Sequence, residues 1–136
     1  VTRFSSTISS QKIKNISKNI IALKTIKDMV DEGISILSSP KIGLEDFGKL
    51  LNQGWQLKRE LAKGVTNMEF DEMYQAGMDS GALGGKLLGA GGGGFMAFYV
   101  EGKNQQRVID KLKKFVHIPF KFENNGSEVV QFEPNT

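Results

Sequence analysis

Residues 84–94 read Gly-Gly-Lys-Leu-Leu-Gly-Ala-Gly-Gly-Gly-Gly and run directly into the apolar stretch Phe95-Met96-Ala97-Phe98-Tyr99-Val100. Eight of the chain's sixteen glycines fall between Gly81 and Gly94. Glycine loses more backbone entropy on folding than any other residue. A concentration like this therefore calls for φ > 0, or for another group lying against the backbone. A row of N–H groups with no side chains in front of it suits an anion, typically phosphate. The candidate cradle is Gly89, Ala90, Gly91, Gly92, Gly93 and Gly94.

Two familiar phosphate loops do not fit. Residues 89–94 match G-x-G-x-x-G, but a dinucleotide-binding turn needs a helix to open within the motif. Here the motif runs into an apolar stretch that reads as a strand, and no acidic residue closes a second parallel strand about 20 positions on. The nucleotide loop that ends in G-K-[ST] fails as well, because Gly85-Lys86 is followed by Leu87 and position 80 is Ser. A plain flexible linker would be flanked by polar residues, whereas this loop sits between Leu87-Leu88 and Phe95-Met96. Four successive glycines in a sheet connection cost stability without a packing return, and close approach to phosphate, or to another phosphate-binding loop, explains that cost.

The elements around the loop follow from periodicity. Ile13, Ile16, Ile20, Leu23, Val30, Ile34 and Leu37 predict one long amphipathic helix from Thr7 to Leu37, stopped by Ser38-Ser39-Pro40. Leu44, Phe47, Leu50, Leu51, Leu57 and Leu61 mark a second helix, with Glu45 and Asp46 early, Lys58 and Arg59 late, and Lys63-Gly64 as its stop. Thr66-Asn67-Met68-Glu69 reads as a capping box with Thr66 as the cap of a third helix, whose buried stripe is Phe70, Met73, Tyr74 and Gly77. Lys86 to Leu88 and Phe95 to Val100 are strands flanking the loop. Val108, Leu112, Phe115 and Val116 define a fourth helix, and Pro119 to Glu123 and Glu128 to Phe132 form a hairpin turned at Asn124-Asn125-Gly126. The expected class is α+β: a small antiparallel sheet of about four strands with helices on one face.

Composition sets outer bounds. The 136 residues suit a single domain, residues 1–136. There is no cysteine, which removes disulfides and thiolate metal sites, and the single histidine, His117, rules out a histidine-built zinc site by count. The net charge of +3 owes much to lysines spread over several faces of the first helix, a solvated surface rather than a nucleic-acid stripe. No stretch approaches the roughly 20 apolar residues that span a bilayer. A cytoplasmic protein with no nucleic-acid or membrane partner is expected. The chain opens on Val1 and almost at once on a helix, as a piece of a longer protein would.

The loop and its flanks, Gly84 to Val100, resemble the third conserved motif of the GHMP kinases, the small-molecule kinases named for galactose, homoserine, mevalonate and phosphomevalonate. Within them the chain most resembles the sugar kinases acting on D-glycero-D-manno-heptose phosphates. Trp55-Gln56-Leu57-Lys58 resembles the W-x-L-K of that subgroup, and Gly64 to Asn67, Phe70 to Tyr74, Gly81 to Lys86 and Pro119 to Phe122 continue the likeness. Thr2-Arg3 resembles the T-G-x-x-R that opens this half of the family, without its glycine.

The resemblance implies a ferredoxin-like C-terminal domain of an ATP- and Mg-dependent sugar kinase. The main ATP loop, P-x-x-x-G-L-G-S-S-[AS], and the acidic residue proposed as base or metal ligand would lie in an N-terminal domain. It further implies that residues 89–94 pack beside that ATP loop, that Lys86 contacts phosphate, and that Trp55, Lys58 and Arg3 serve an anionic sugar substrate. No catalytic base and no metal ligand is assigned within the chain, and the chain alone is expected to be inactive. Apolar surface around the loop is expected to be exposed, with dimerisation as one outcome. Two other readings stay open: a free-standing ferredoxin-like ligand-binding or regulatory module, and the C-terminal half of a fucose- or galactose-type kinase of the same family.

Overall fold

The computed structural model describes residues 19–61, 65–89 and 93–126. In chain order these form helices α1 (Ile20–Ser38), α2 (Leu44–Glu60) and α3 (Met68–Asp79), strands β1 (Ala82–Leu88) and β2 (Phe95–Val100), and helix α4 (Gly102–Lys111). The α+β class holds.

β1 and β2 pair antiparallel, with Leu88 opposite Phe95, Lys86 opposite Ala97 and Gly85 opposite Phe98; the register slips once, between Ala82 and Gly84. Among the described residues the sheet has these two strands. The expected strand Pro119–Glu123 has no regular structure. A strand exists only where a second backbone completes its ladder, and the expected partner, residues 128–132, lies outside the described residues.

β1 starts four residues earlier than its apolar run suggests. Gly84-Gly85 weakens the strand signal, yet both glycines are set by packing. A Cβ on Gly84 would run into the Gly48 carbonyl oxygen of α2, and one on Gly85 would lie 2.7 Å from the Ala97 oxygen. Close approach recurs on the helices. A Cβ on Gly48 would fall 2.6 Å from the Tyr99 ring, and one on Gly77 of α3 would fall 2.5 Å from the Phe98 ring. Gly84 thus brings the backbones of β1 and α2 together, and Gly77 lets the Phe98 ring lie against α3. Trp55, Val65, Phe70, Tyr74 and Leu87 fill the core between them.

Four local expectations are corrected. α1 begins at Ile20, because Asn19 has non-helical backbone and its Nδ2 donates to the Leu61 carbonyl at the end of α2, 3.0 Å away; residues 7–18 of the expected helix lie outside the described residues. The inner face of α1 carries Gly33 and Ile36, whereas Val30, Ile34 and Leu37 of the apolar stripe face solvent. A Cβ on Gly33 would stand 3.5 Å from Leu50 and 3.9 Å from Phe47 of α2, an ordinary contact distance. The α3 cap is Asn67, one residue later than expected: its Oδ1 accepts from the Phe70 N–H at 3.0 Å, while the Thr66 hydroxyl donates to Asp71 Oδ1. Beyond α4, Phe115 and Val116 fall outside the helix, which ends at Lys111 with Leu112 as C-cap.

Candidate functional site: the tip of the glycine hairpin

The β1–β2 hairpin ends at the Leu88/Phe95 rung. Both shoulders of the connection are glycines in the left-handed region, Gly89 at φ +112° and Gly94 at φ +126°. A Cβ on Gly94 would strike the Leu88 carbonyl oxygen, so this shoulder excludes any side chain on two counts. Gly93 meets nothing within 4 Å on the side where a Cβ would stand. Ala90, Gly91 and Gly92 lie outside the described residues. On the described flanks the glycine shoulders carry no side chain, and the rim beside them carries two exposed apolar residues, Leu88 and Phe95, the latter 63% exposed.

Lys86 lies two residues before that rung and is half-buried. Its neighbour Leu87 packs into the core. Side chains alternate along a strand, so Lys86 stands on the opposite side of the ribbon from the core. Among the described residues no ion pair or hydrogen bond engages its ammonium.

Trp55 is 1% exposed and enclosed by Val65, Phe70, Tyr74 and Leu87. Its ring lies 5.9 Å from that of Tyr74, and its Nε1–H has no hydrogen-bond partner among the described residues. A ring enclosed in this way is a core residue, with no open face on which a ligand could stack. Lys58, one turn further along α2, is half-buried. The structure therefore groups Trp55 and Lys58 on α2 and sets Lys86 across the strand from them. Arg3 lies outside the described residues. No cluster of three His, Cys, Asp or Glu residues among the described residues could hold a metal ion.

A further set of residues escaped the sequence reading. Arg59 pairs with Asp71 of α3 at 2.9 Å. It also begins a chain of side-chain contacts. Arg59 Nη1 donates to Gln56 Oε1 at 3.3 Å, Gln56 Nε2 donates to Asn52 Oδ1 at 3.3 Å, and the Tyr74 hydroxyl donates to that same oxygen at 2.7 Å. The Tyr74 oxygen in turn meets the Gly85 backbone. Burial pushes the Tyr74 hydroxyl above the usual tyrosine range, and the Gly85 backbone and the nearby Arg59 charge oppose that rise. The i to i+3/i+4 spacing of Asn52, Gln56 and Arg59 places them on one face of α2. Their meeting with Tyr74 and Asp71 depends on how α2 and α3 pack, which carries no local signal.

Comparison with known proteins follows the same segment of chain. Residues 38–118 match the GHMP kinases C terminal family, a stretch that holds α2, α3, both strands, the loop and α4. The chain belongs to this family. It is similar to the D-glycero-alpha-D-manno-heptose 7-phosphate kinase of Campylobacter jejuni, with 39% identity over 72 residues, 51% of this chain and 21% of that protein. It is also similar to mevalonate kinases of Thermococcus gammatolerans, 39% identical over 54% of this chain and 22% of that protein, and Pyrococcus abyssi, 34% identical over 67% and 27%. The chain thus spans between a fifth and about a quarter of these relatives. Its fold matches the crystal structure of L. major mevalonate kinase in complex with R-mevalonate, with a TM-score of 0.66 at 23% identity, over 81% of this chain and 34% of that one. As a GHMP kinase C-terminal domain the chain has the α+β fold that its sequence implies.

Proposed function

We propose that this chain is the C-terminal part of an ATP-dependent kinase that phosphorylates a hydroxyl of a heptose phosphate. The observation that carries the reading is the hairpin tip. Two glycine shoulders fixed in the left-handed region, backed by a half-buried lysine that no ion pair engages among the described residues, form the kind of surface a phosphate group approaches. Similarity to the Campylobacter heptose 7-phosphate kinase over 72 residues, together with the W-x-L-K sequence at Trp55–Lys58, supports the sugar phosphate as substrate.

In this reading an N-terminal domain of the same protein supplies the main ATP loop, and the hairpin tip closes the phosphate site from the other side. Leu88 and Phe95, exposed at the rim, give that domain an apolar edge to rest on. Phosphoryl transfer needs positioning and charge stabilisation more than covalent chemistry from the protein. Gly89 and Gly93–Gly94 would offer backbone N–H groups to phosphate oxygens, and Lys86 a positive charge. ATP with Mg supplies the phosphoryl group and neutralises its charge. This chain's part in that reading is to bind and orient. Lys58 is proposed to face the anionic substituent of the sugar, and Trp55 to hold the helix that presents it.

A mevalonate substrate is the competing reading, favoured by the two archaeal relatives. The whole gene product containing this chain should be assayed with ATP against heptose 7-phosphate, heptose 1-phosphate, mevalonate, galactose and fucose. Heptose phosphate turnover at the highest kcat/KM is expected. Turnover of mevalonate alone transfers the assignment to that substrate, and no ATP-dependent turnover of any of them sinks the kinase reading. The isolated 136-residue chain is expected to phosphorylate none of them.

A further inference from the structure

The contacts around Tyr74 form one connected path across three elements. It runs from the Thr66 hydroxyl to Asp71 at the start of α3, across the Arg59 ion pair to α2, along α2 through Gln56 and Asn52, and back to α3 at the Tyr74 hydroxyl. At that end Tyr74 meets both strands of the hairpin at a single rung. Its oxygen meets the Gly85 backbone, and its ring stacks on Phe98 at 5.9 Å and 29°; Gly85 and Phe98 are register partners. Lys86 is the next residue along β1.

The environment makes this grip stiff. Tyr74 is 5% exposed, and the Trp55 ring backs it on the side of α2. A buried hydroxyl that lost its acceptor would be left unsatisfied, so hydroxyl and acceptor hold each other in place. The Tyr74–Asn52 bond is the part-buried link that ties α3 to α2, and the Gln56 and Arg59 contacts continue it along the exposed face of α2. The close fit of Gly84 on α2 and of Phe98 on Gly77 seats the hairpin on the helices, and the Tyr74 hydroxyl adds a directional contact beside it.

We propose that Tyr74 is a positioning residue for the phosphate end of the hairpin: through its hydroxyl and the Asn52–Gln56–Arg59–Asp71 path it sets the Gly85/Phe98 rung, and with it Lys86 and the glycine shoulders, relative to α2 and α3. This rests on the reading of the hairpin tip as a phosphate site. Tyr74 touches no reacting atom, and its action is on the nucleotide's seat rather than on the sugar's.

The test uses the whole gene product. Tyr74→Phe keeps the ring and removes the hydroxyl, and Arg59→Gln breaks the path at its half-exposed far end. For each variant the expected result is a KM for ATP raised roughly 2- to 30-fold, with the KM for the phosphoryl acceptor unchanged. Faster amide hydrogen exchange at Gly85 to Leu88 should accompany it. The double variant should show an ATP effect smaller than the product of the two single effects, because both cut one path. A Tyr74→Phe enzyme with unaltered KM for ATP and unaltered exchange at Gly85 overturns the proposal. A fall in kcat with no change in the ratio of the two KM values overturns it too, since that is what loss of folded enzyme gives. A wild-type protein that turns over no substrate sinks the kinase reading itself, and this inference with it; a wild-type kinase whose variants behave as wild type sinks this inference alone.

Discussion

At the scale of single residues, glycine has two separate jobs in this chain. Gly89 and Gly94 are glycine because their backbone is left-handed. Gly48, Gly77, Gly84 and Gly85 are glycine because another element occupies the space of a side chain. A sequence shows the abundance and leaves the jobs unseparated. Gly84→Ala should destabilise the domain by about 3 kcal/mol or more, since the obstacle is α2 backbone and not the end of a flexible side chain. Gly102→Ala, at an open position in the first turn of α4, should be neutral or stabilising by about 0.5 kcal/mol. Urea unfolding of the two variants checks both, and equal midpoints would show that the helix–strand contact yields without cost.

At the scale of elements, helix existence was legible and helix rotation was not. The spacing of apolar residues located α1, α2 and α3, and the charges at the ends of α2 stand where the helix dipole favours them. The outward face of α1 was misread because Val30, Ile34 and Leu37 make a good apolar stripe, whereas the face that packs holds Gly33, which hydrophobicity does not score. Ile36→Ala should therefore cost about 2–5 kcal/mol, and Ile34→Ser should stay within about 0.5 kcal/mol of wild type in the same unfolding measurement. A large loss for Ile34→Ser would mean that this stripe is covered in the protein as it exists. The α3 start shows the same limit at finer grain. Thr66 and Asn67 are both good caps by type, and the choice fell to Asn67 because Thr66 is taken by Asp71, itself held by Arg59.

For the whole molecule, the path through Tyr74 couples folding to pH. The folded-state pKa of its hydroxyl lies above the unfolded value, so the folded protein keeps a proton that the unfolded chain releases. The stability held by neutral Tyr74 is full below the ordinary tyrosine value of about 10 and is lost as pH rises through the higher folded value. Tyr74→Phe has no proton to lose. The stability gap between wild type and Tyr74→Phe should accordingly narrow as pH rises above about 10 in urea titrations at stepped pH; a gap that stays constant would place the phenol in water-like surroundings.

The sequence by itself determined the α+β class, most helix positions, both strands of the hairpin and the family, because these rest on local signals: periodicity, charge placement and a glycine-rich motif with distinctive flanks. The glycine tip was legible for the same reason. Tertiary structure decided that Trp55 is core, that Lys86 stands across the strand from it, that α1 turns its glycine face inward, and that Arg59 and Tyr74 lie on one path of side-chain contacts that ends with the Tyr74 ring stacked on Phe98. Each of these depends on which residues, 20 or more positions apart in cases such as Asn52 and Tyr74, come together when helices pack on a hairpin. Close approach at glycines, of backbone at Gly84 and of aromatic rings at Gly48 and Gly77, sets that packing, and its partners are chosen by shape in three dimensions rather than by any pattern along the chain.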